Sequence, residues 1–181
     1  SVERGLRDVL QRELAALHRA LGIPIVIVTH DFEDVARLAA DAVVLEQGRM
    51  TAAGPVSALT AADALPGVAA RHEPAVVLDA RVAAQHAARE LTTVVSDGMT
   101  LLVPAIDAPV GTGVRLTILA REVILATEQP SGLSLHNVVP ARVAEVRTGE
   151  RPGLRIVRLA SGATPLLALV TVDAVVKLAL E

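Results

Sequence analysis

Leu78-Asp79-Ala80-Arg81-Val82-Ala83 returns 61 residues later as Val139-Pro140-Ala141-Arg142-Val143-Ala144, with four of the six residues identical. Each copy opens a series of short runs rich in Val, Ile and Leu, and turn residues separate the runs. A repeat in which each copy opens several strands predicts two structurally similar halves. The second copy reaches residues 178–181 without a counterpart of the Gly111-Thr112-Gly113 turn and the run that follows it, so we expect it to lack its last strand.

The region from residue 75 onward has the pattern of an all-β domain. Strands at this spacing, broken by Gly, Pro and Asp, are typical of small antiparallel barrels. We therefore predict a barrel domain with an internal repeat over residues 75–181. The runs predicted as strands are 76–82, 91–95, 101–103, 114–119, 123–125, 138–146, 154–159 and 166–172.

Residues 1–66 have the different pattern of an α/β segment. Leucines spaced three or four apart over residues 6–21 predict an amphipathic helix. The non-alternating apolar run 23–28 predicts a strand buried on both faces of a parallel sheet. Asp31, with Asp34 three residues later, predicts the start of a second helix, and Gln47-Gly48 predicts the turn of a hairpin. The Pro- and Gly-containing stretch 67–74 is predicted to be a linker.

Composition excludes several functional classes. The chain has 181 residues, no Cys, a single aromatic residue, Phe32, and a net charge of −3. Disulfides and thiolate metal sites are therefore excluded, and no metal site is predicted. Nucleic acid is not expected as a partner, because both aromatic stacking platforms and excess positive charge are lacking. No apolar run is long enough to span a membrane and no leader pattern occurs, so we expect a cytoplasmic location.

His30 and Asp31 stand where the predicted strand 23–28 meets the next helix. The carboxyl ends of parallel strands are where α/β proteins bind ligands, and an imidazole N–H there can contact a phosphate oxygen. A surface histidine beside a helix cap is an equally good interpretation of the pattern alone.

Residues 1–60 nevertheless resemble the last part of the nucleotide-binding subunit of ABC importers. The residues that carry the resemblance are Thr29-His30-Asp31, the helix 32–39, the stretch 41–49 and Gly54-Pro55. The resemblance implies that His30 is a catalytic switch histidine that contacts the γ-phosphate of ATP. Asp31 would be its nucleotide-binding neighbour and helix cap. The phosphate loop, the signature sequence and the Walker B glutamate are absent from these 181 residues, so we expect this chain alone to be inactive.

The second region resembles the OB-like TOBE/Mop domain of such ATPases, most closely that of molybdate or tungstate importers. The stretches 119–126 and 132–143 carry this resemblance. It implies an oxyanion site in Ser134-Leu135-His136-Asn137, where His136 stands in the place of the family's Arg. The stretch 170–178, with Thr171 and Lys177, would supply the opposing side across a subunit boundary. A tetrahedral dianion needs several converging N–H and O–H donors. Ser134 and Asn137 also fit a simple polar turn.

Together these resemblances imply the C-terminal part of the ATP-hydrolysing subunit of an ABC importer for molybdate. They further imply ATP and Mg²⁺ as cofactors, molybdate or tungstate as a regulatory ligand, a homodimer, and inner-membrane permease subunits as partners at the cytoplasmic side of the membrane. Two stronger alternatives remain open. One is the ATPase of a related importer for sulfate, iron, polyamine or sugar, and the other is a stand-alone molybdate-binding module. An oligonucleotide-binding barrel is a third, weaker alternative.

Overall fold

The computed structural model describes residues 2–62, 64, 74–149 and 151–180. Helix α1 spans Val2–Leu21 and helix α2 spans Phe32–Leu38. Both helices were expected from the sequence. The two helices meet through a polar contact: Gln11, which is buried on α1, donates to Asp34 Oδ1 over 2.6 Å and accepts from Arg37 Nη1 over 3.1 Å. The leucine stripe of α1 is exposed, including Leu6, Leu10, Leu14, Leu17 and Leu21.

The prediction of a buried strand at residues 23–28 is wrong. These residues form no strand, and Val26 and Val28 are 91% and 97% exposed. A strand needs neighbours that accept and donate its backbone hydrogen bonds, and no described strand pairs with this stretch. The apolar run therefore connects α1 and α2 without regular secondary structure.

The hairpin matches the sequence prediction. Strands β1 (Asp41–Glu46) and β2 (Arg49–Pro55) pair antiparallel. The turn between them consists of Gln47 and Gly48, which have φ angles of 49° and 76°. Positive φ at both central residues is the geometry whose twist suits a two-residue hairpin. Helix α3 then spans Val56–Ala61.

The region after residue 74 is β-rich, as predicted, and begins with a four-stranded antiparallel sheet. Its strands are β3 (Ala75–His86), β4 (Leu91–Ser96), β5 (Met99–Pro104) and β6 (Gly113–Leu119), in the order β5-β4-β3-β6. β3 is the long central strand, since it pairs with β4 through its second half and with β6 through its first half. A 3₁₀ turn at Ala120–Glu122 follows β6, so the strand predicted at 123–125 is not formed.

A three-stranded antiparallel sheet completes the β-rich region. Strands β7 (Arg142–Thr148), β8 (Leu154–Ser161) and β9 (Thr164–Thr171) pair in that order, and helix α4 spans Val172–Lys177. Among the described strands no ladder joins the two sheets, so the predicted barrel domain does not close. The connection of residues 123–141 runs between β6 and β7 without strand pairing.

Two structural details recur in the two sheets with the spacing of the sequence repeat. The β3–β4 ladder shifts register between Val82 and Ala84, and the β7–β8 ladder shifts between Val143 and Glu145. Ser96 donates to the carbonyl of Asp79 at 2.8 Å, and Ser161 donates to the carbonyl of Pro140 at 3.0 Å. The shifted residues and the accepting carbonyls all lie 61 positions apart.

Two hydrophobic clusters hold the described residues together. The larger one joins both sheets, with Val76, Leu78, Val94 and Leu101 facing Val157, Leu159, Leu166 and Leu167. The smaller one packs the first region against the back of β3 and contains Phe32, Ala36, Val44, Val56, Leu59, Ala75 and Val77. The predicted linker 67–74 lies, apart from Pro74, outside the described residues.

Candidate functional site

The segment Thr29-His30-Asp31 forms a hydrogen-bonded turn at the start of α2. Asp31 is the N-cap residue, and its Oδ1 accepts from the backbone N–H of Glu33 at 2.9 Å. The hydroxyl of Thr29 accepts from the N–H of Asp31 at 3.0 Å and donates to Asp34 Oδ2 at 2.8 Å. Side chains that bond locally in this way fix the entry of a helix. The predicted cap at Asp31 is confirmed.

His30 is the exposed residue in the middle of this turn. Its neighbours Thr29 and Asp31 make the local bonds, so the turn determines the backbone position of His30 and leaves its imidazole facing outward. An imidazole in this position can donate one hydrogen bond to a phosphate oxygen or orient a water molecule. It cannot hold a triphosphate alone. Among the described residues no group of three or more His, Asp or Glu side chains could hold a metal ion.

The predicted oxyanion loop is exposed, and one of its members already has a structural role. Asn137 uses both ends of its amide on Leu102 of the edge strand β5: its Oδ1 accepts from the backbone N–H at 2.8 Å, and its Nδ2 donates to the carbonyl at 2.8 Å. Ser134, Leu135 and His136 are exposed in the connection that leads to this contact. Leu135 and His136 also border a neighbouring cleft.

That cleft lies between the two sheets and has a volume of about 950 Å³. Leu135, His136 and Asn137 line it on one side, and Arg115 and Glu122 contribute charge to its otherwise mainly apolar wall. Ser134 is not among its lining residues, so the structure brings together only three of the four loop residues around it.

Thr171 and Lys177 lie apart from the loop. Thr171 is the N-cap of α4, where its hydroxyl accepts from the N–H of Ala174 at 3.1 Å, and Lys177 is exposed in the last turn of the same helix. Neither lines the cleft. Within a single chain, therefore, the structure does not bring the two predicted halves of the oxyanion site into one pocket.

A pair of arginines on the second sheet, Arg147 and Arg158, brings two positive charges close together. Arg158 Nε lies 3.3 Å from Glu145 Oε2 in the opposite strand. Burial, and secondarily the Arg158 guanidinium, lower the pKa of Arg147. A guanidinium nevertheless stays protonated in proteins, so both groups remain cations. Glu145 neutralises part of this charge.

Sequence reasoning missed the residue that fastens α2 to the sheet. Arg115 of β6 donates to backbone carbonyls at the end of α2 and also to Asp79. Nothing in the sequence singles it out. Arg115 is 76 positions away from Ala39, and an arginine on a strand is normally expected to be a solvent-exposed charge. The alternation of β6 places Arg115 on the same face as Leu119, but that pattern does not indicate a contact with α2.

Comparison with known proteins finds relatives among ATP-binding subunits of importers, and the similarity extends over most of the chain. A molybdenum import ATP-binding protein ModC of Aromatoleum aromaticum is 42% identical over 158 residues, which cover 87% of this chain. Proteins of the same name from Granulibacter bethesdensis and Mesorhizobium japonicum are 38% and 39% identical over 90% and 80% of the chain. This chain is a relative of the molybdenum import ATP-binding proteins. The resemblance noted from the sequence is confirmed.

The match covers less than half of the length of each of these molybdenum import ATP-binding proteins. The chain spans 41%, 46% and 39% of the length of those three relatives. No protein-family profile matches the chain. None of the helices in the described part has the length and apolar character needed to cross a bilayer.

Proposed function

We propose that this chain is the C-terminal part of the ATP-hydrolysing subunit of an importer for molybdate or tungstate. The observation that carries the proposal is the similarity of most of the chain to relatives named as molybdenum import ATP-binding proteins. In the whole protein, two such subunits bind ATP and Mg²⁺ on the cytoplasmic side of the inner membrane and drive permease subunits. Residues 1–66 then end the nucleotide-binding domain, and residues 75–181 form its OB-like regulatory domain.

In this proposal His30 acts on the γ-phosphate. Its imidazole donates to a terminal phosphate oxygen and helps to orient the attacking water, a contact that gains most as charge redistributes in the transition state. The turn of Thr29 and Asp31 supports the role, since it presents the imidazole outward from a fixed backbone. The phosphate cradle and the Mg²⁺ ligands come from parts of the subunit other than these residues. Mg²⁺ supplies charge neutralisation of the phosphates when it is bound.

The β-rich domain would act as an oxyanion sensor. The recurring register shift and serine bond support a domain built from two similar halves. Ser134, the N–H groups near Leu135 and the His136 imidazole supply donors on one side, with Asn137 holding the loop to β5. Thr171 and Lys177 would close the site from a second subunit. Their separation from the loop within one chain agrees with a site shared between subunits.

Thermal unfolding of the dimeric protein that contains this chain tests the oxyanion part of the proposal. Molybdate and tungstate should raise the Tm, because a ligand that binds only the native state stabilises it by about 2.7 kcal/mol at a hundred times its Kd. Sulfate should raise it much less. The substitution Ser134→Ala should remove the shift, whereas Ser131→Ala, a matched change in the same exposed connection, should preserve it.

Three other outcomes would contradict part of the proposal. Equal shifts with sulfate would favour a related importer that serves a different substrate. A molybdate shift that survives Ser134→Ala would place the site outside residues 134–137. A molybdate response in a protein without ATP hydrolysis would favour a stand-alone binding module.

A further inference from the structure

Arg115 connects the β-rich domain to the helix that begins beside His30. It lies on β6 directly opposite Asp79 of β3, and its Nε donates to Asp79 Oδ1 at 3.0 Å. Its Nη1 donates to the backbone carbonyl of Ala39 at 2.5 Å and to that of Ala36 at 3.3 Å. One guanidinium thus joins two strands of the sheet to the C-terminal end of α2.

These contacts satisfy groups that a helix cannot satisfy by itself. The last four carbonyls of an α-helix have no partner within the helix, and they carry the negative end of its dipole. A cation placed there stabilises the helix, and the forked guanidinium can serve a carboxylate and a carbonyl at once, which an ammonium group cannot do with the same geometry. Asp79 holds the fork in position, and only a quarter of the Arg115 side chain is exposed.

The same helix carries the His30 turn at its other end. α2 has seven residues, so about 10 Å separate its two ends. The turn residue Asp31 is its N-cap, and Asp34 in its first turn bonds Thr29. Ala36 and Phe32 are buried against Val77 in the smaller hydrophobic cluster. A helix this short has few bonds of its own, so its position depends on its contacts with the rest of the chain, including those at its two ends.

We propose that Arg115 is a positioning residue for the switch histidine: it fixes α2 to the β3–β6 sheet and thereby sets the position of the His30 turn. This inference rests on the proposed function only for the role of His30. The fastening of α2 itself can be tested without any ATPase activity. The consequence is that the β-rich domain takes part in catalysis through α2, in addition to any ligand that it binds.

The first experiment measures amide hydrogen exchange on the protein that contains this chain. Arg115→Ala should increase exchange of the amides in residues 31–39 at least tenfold, while the amides of β4 and β5 keep their protection. Arg115→Lys should restore part of the protection. Arg81→Ala is the matched control, because Arg81 is an exposed arginine of the same sheet that donates to the carbonyl of Gly111 and does not contact α2. It should leave residues 31–39 unchanged.

Unchanged exchange of residues 31–39 in Arg115→Ala would overturn the inference. If Arg115→Ala loses protection throughout β4 and β5, it is replaced under the same criteria by Arg115→Gln, which keeps two of the three methylenes of the side chain and an amide NH₂ donor. If Arg115→Gln also loses protection equally in residues 31–39 and in β4 and β5, the inference is contradicted, because Arg115 would then have a general structural role instead of a local one.

The second experiment measures ATP hydrolysis by the protein that contains this chain. Arg115→Ala should lower kcat at least fivefold while KM for ATP changes less than twofold, and Arg115→Lys should recover part of kcat. A changed exchange pattern with an unchanged kcat would refute the link to His30. A changed exchange pattern in a protein that hydrolyses no ATP at all would refute the proposed function and leave the fastening of α2 intact.

Discussion

At the scale of single residues, two buried threonines in the β-rich domain have opposite environments. The hydroxyl of Thr92 donates to Gln85 Oε1 at 2.7 Å and accepts from the N–H of Ile106 at 2.9 Å. The hydroxyl of Thr164, at the start of β9, is buried and has no hydrogen-bond partner in the part of the chain that the structure describes. A buried hydroxyl without a partner costs stability, whereas one with two partners contributes to it.

The same substitution should therefore have opposite effects at the two sites. Thr164→Val should raise the free energy of unfolding by about 1 kcal/mol, because it removes an unpaired polar atom and keeps the side-chain shape. Thr92→Val should lower it by about 1–3 kcal/mol, because it leaves the Ile106 N–H without its acceptor. Urea denaturation of both variants measures the difference. A loss of stability in Thr164→Val equal to that in Thr92→Val would contradict the assigned environments.

At the scale of secondary structure, sequence signals succeeded where they were local. Asp31 as a cap, Gln47-Gly48 as a turn and the β-branched runs of β3, β4, β6 and β8 each specify an element through a few neighbouring residues. The strand prediction for residues 23–28 was wrong because it depended on long-range partners: an apolar run becomes a strand only when other strands lie beside it. The strand prediction for residues 123–125 was wrong because the 3₁₀ turn at Ala120–Glu122 redirects the chain immediately after β6.

Helix α2 should depend measurably on its N-cap. Asp31→Ala removes the acceptor of the Glu33 N–H and should destabilise α2 by about 1 kcal/mol, the usual cost of losing a helix cap. Glu33→Ala, a neighbouring acidic residue whose backbone N–H is kept, is the matched control and should have a smaller effect. Hydrogen exchange in residues 32–38 reports both. Equal exchange rates in the two variants would show that the cap contributes nothing specific.

At the scale of the whole molecule, the first region and the β-rich domain are connected by a shared cluster and by polar bonds. Thr60 of α3 accepts from the N–H of Val77 on β3 at 3.1 Å, close to the cluster that contains Leu59 and Val56. The sequence predicted both regions but not this contact, nor the role of Arg115. Long-range contacts of this kind depend on which faces meet after folding, and no periodicity in a single sequence reports that.

The candidate sites were predictable to different degrees for the same reason. The His30 turn depends on its immediate neighbours, and the structure contains the Asp31 cap that the sequence indicated. The oxyanion site combines residues 134–137 with residues from 171 onward, and a single chain does not place them together. The engagement of Asn137 with Leu102 is a long-range contact that the sequence could not indicate.

The central claim is that His30 is the switch histidine of an ATP-hydrolysing subunit, and ATP turnover by the His30→Ala variant of the protein that contains this chain tests it most directly. The matched control is His86→Ala, which removes an imidazole that bonds Thr93 at the far end of β3. His30→Ala should reduce kcat on the order of 10²-fold, the usual effect of losing one transition-state donor, with ATP affinity nearly unchanged. His86→Ala should retain full turnover. Turnover of His30→Ala within about threefold of the parent, less than ~1 kcal/mol of barrier, would contradict the account.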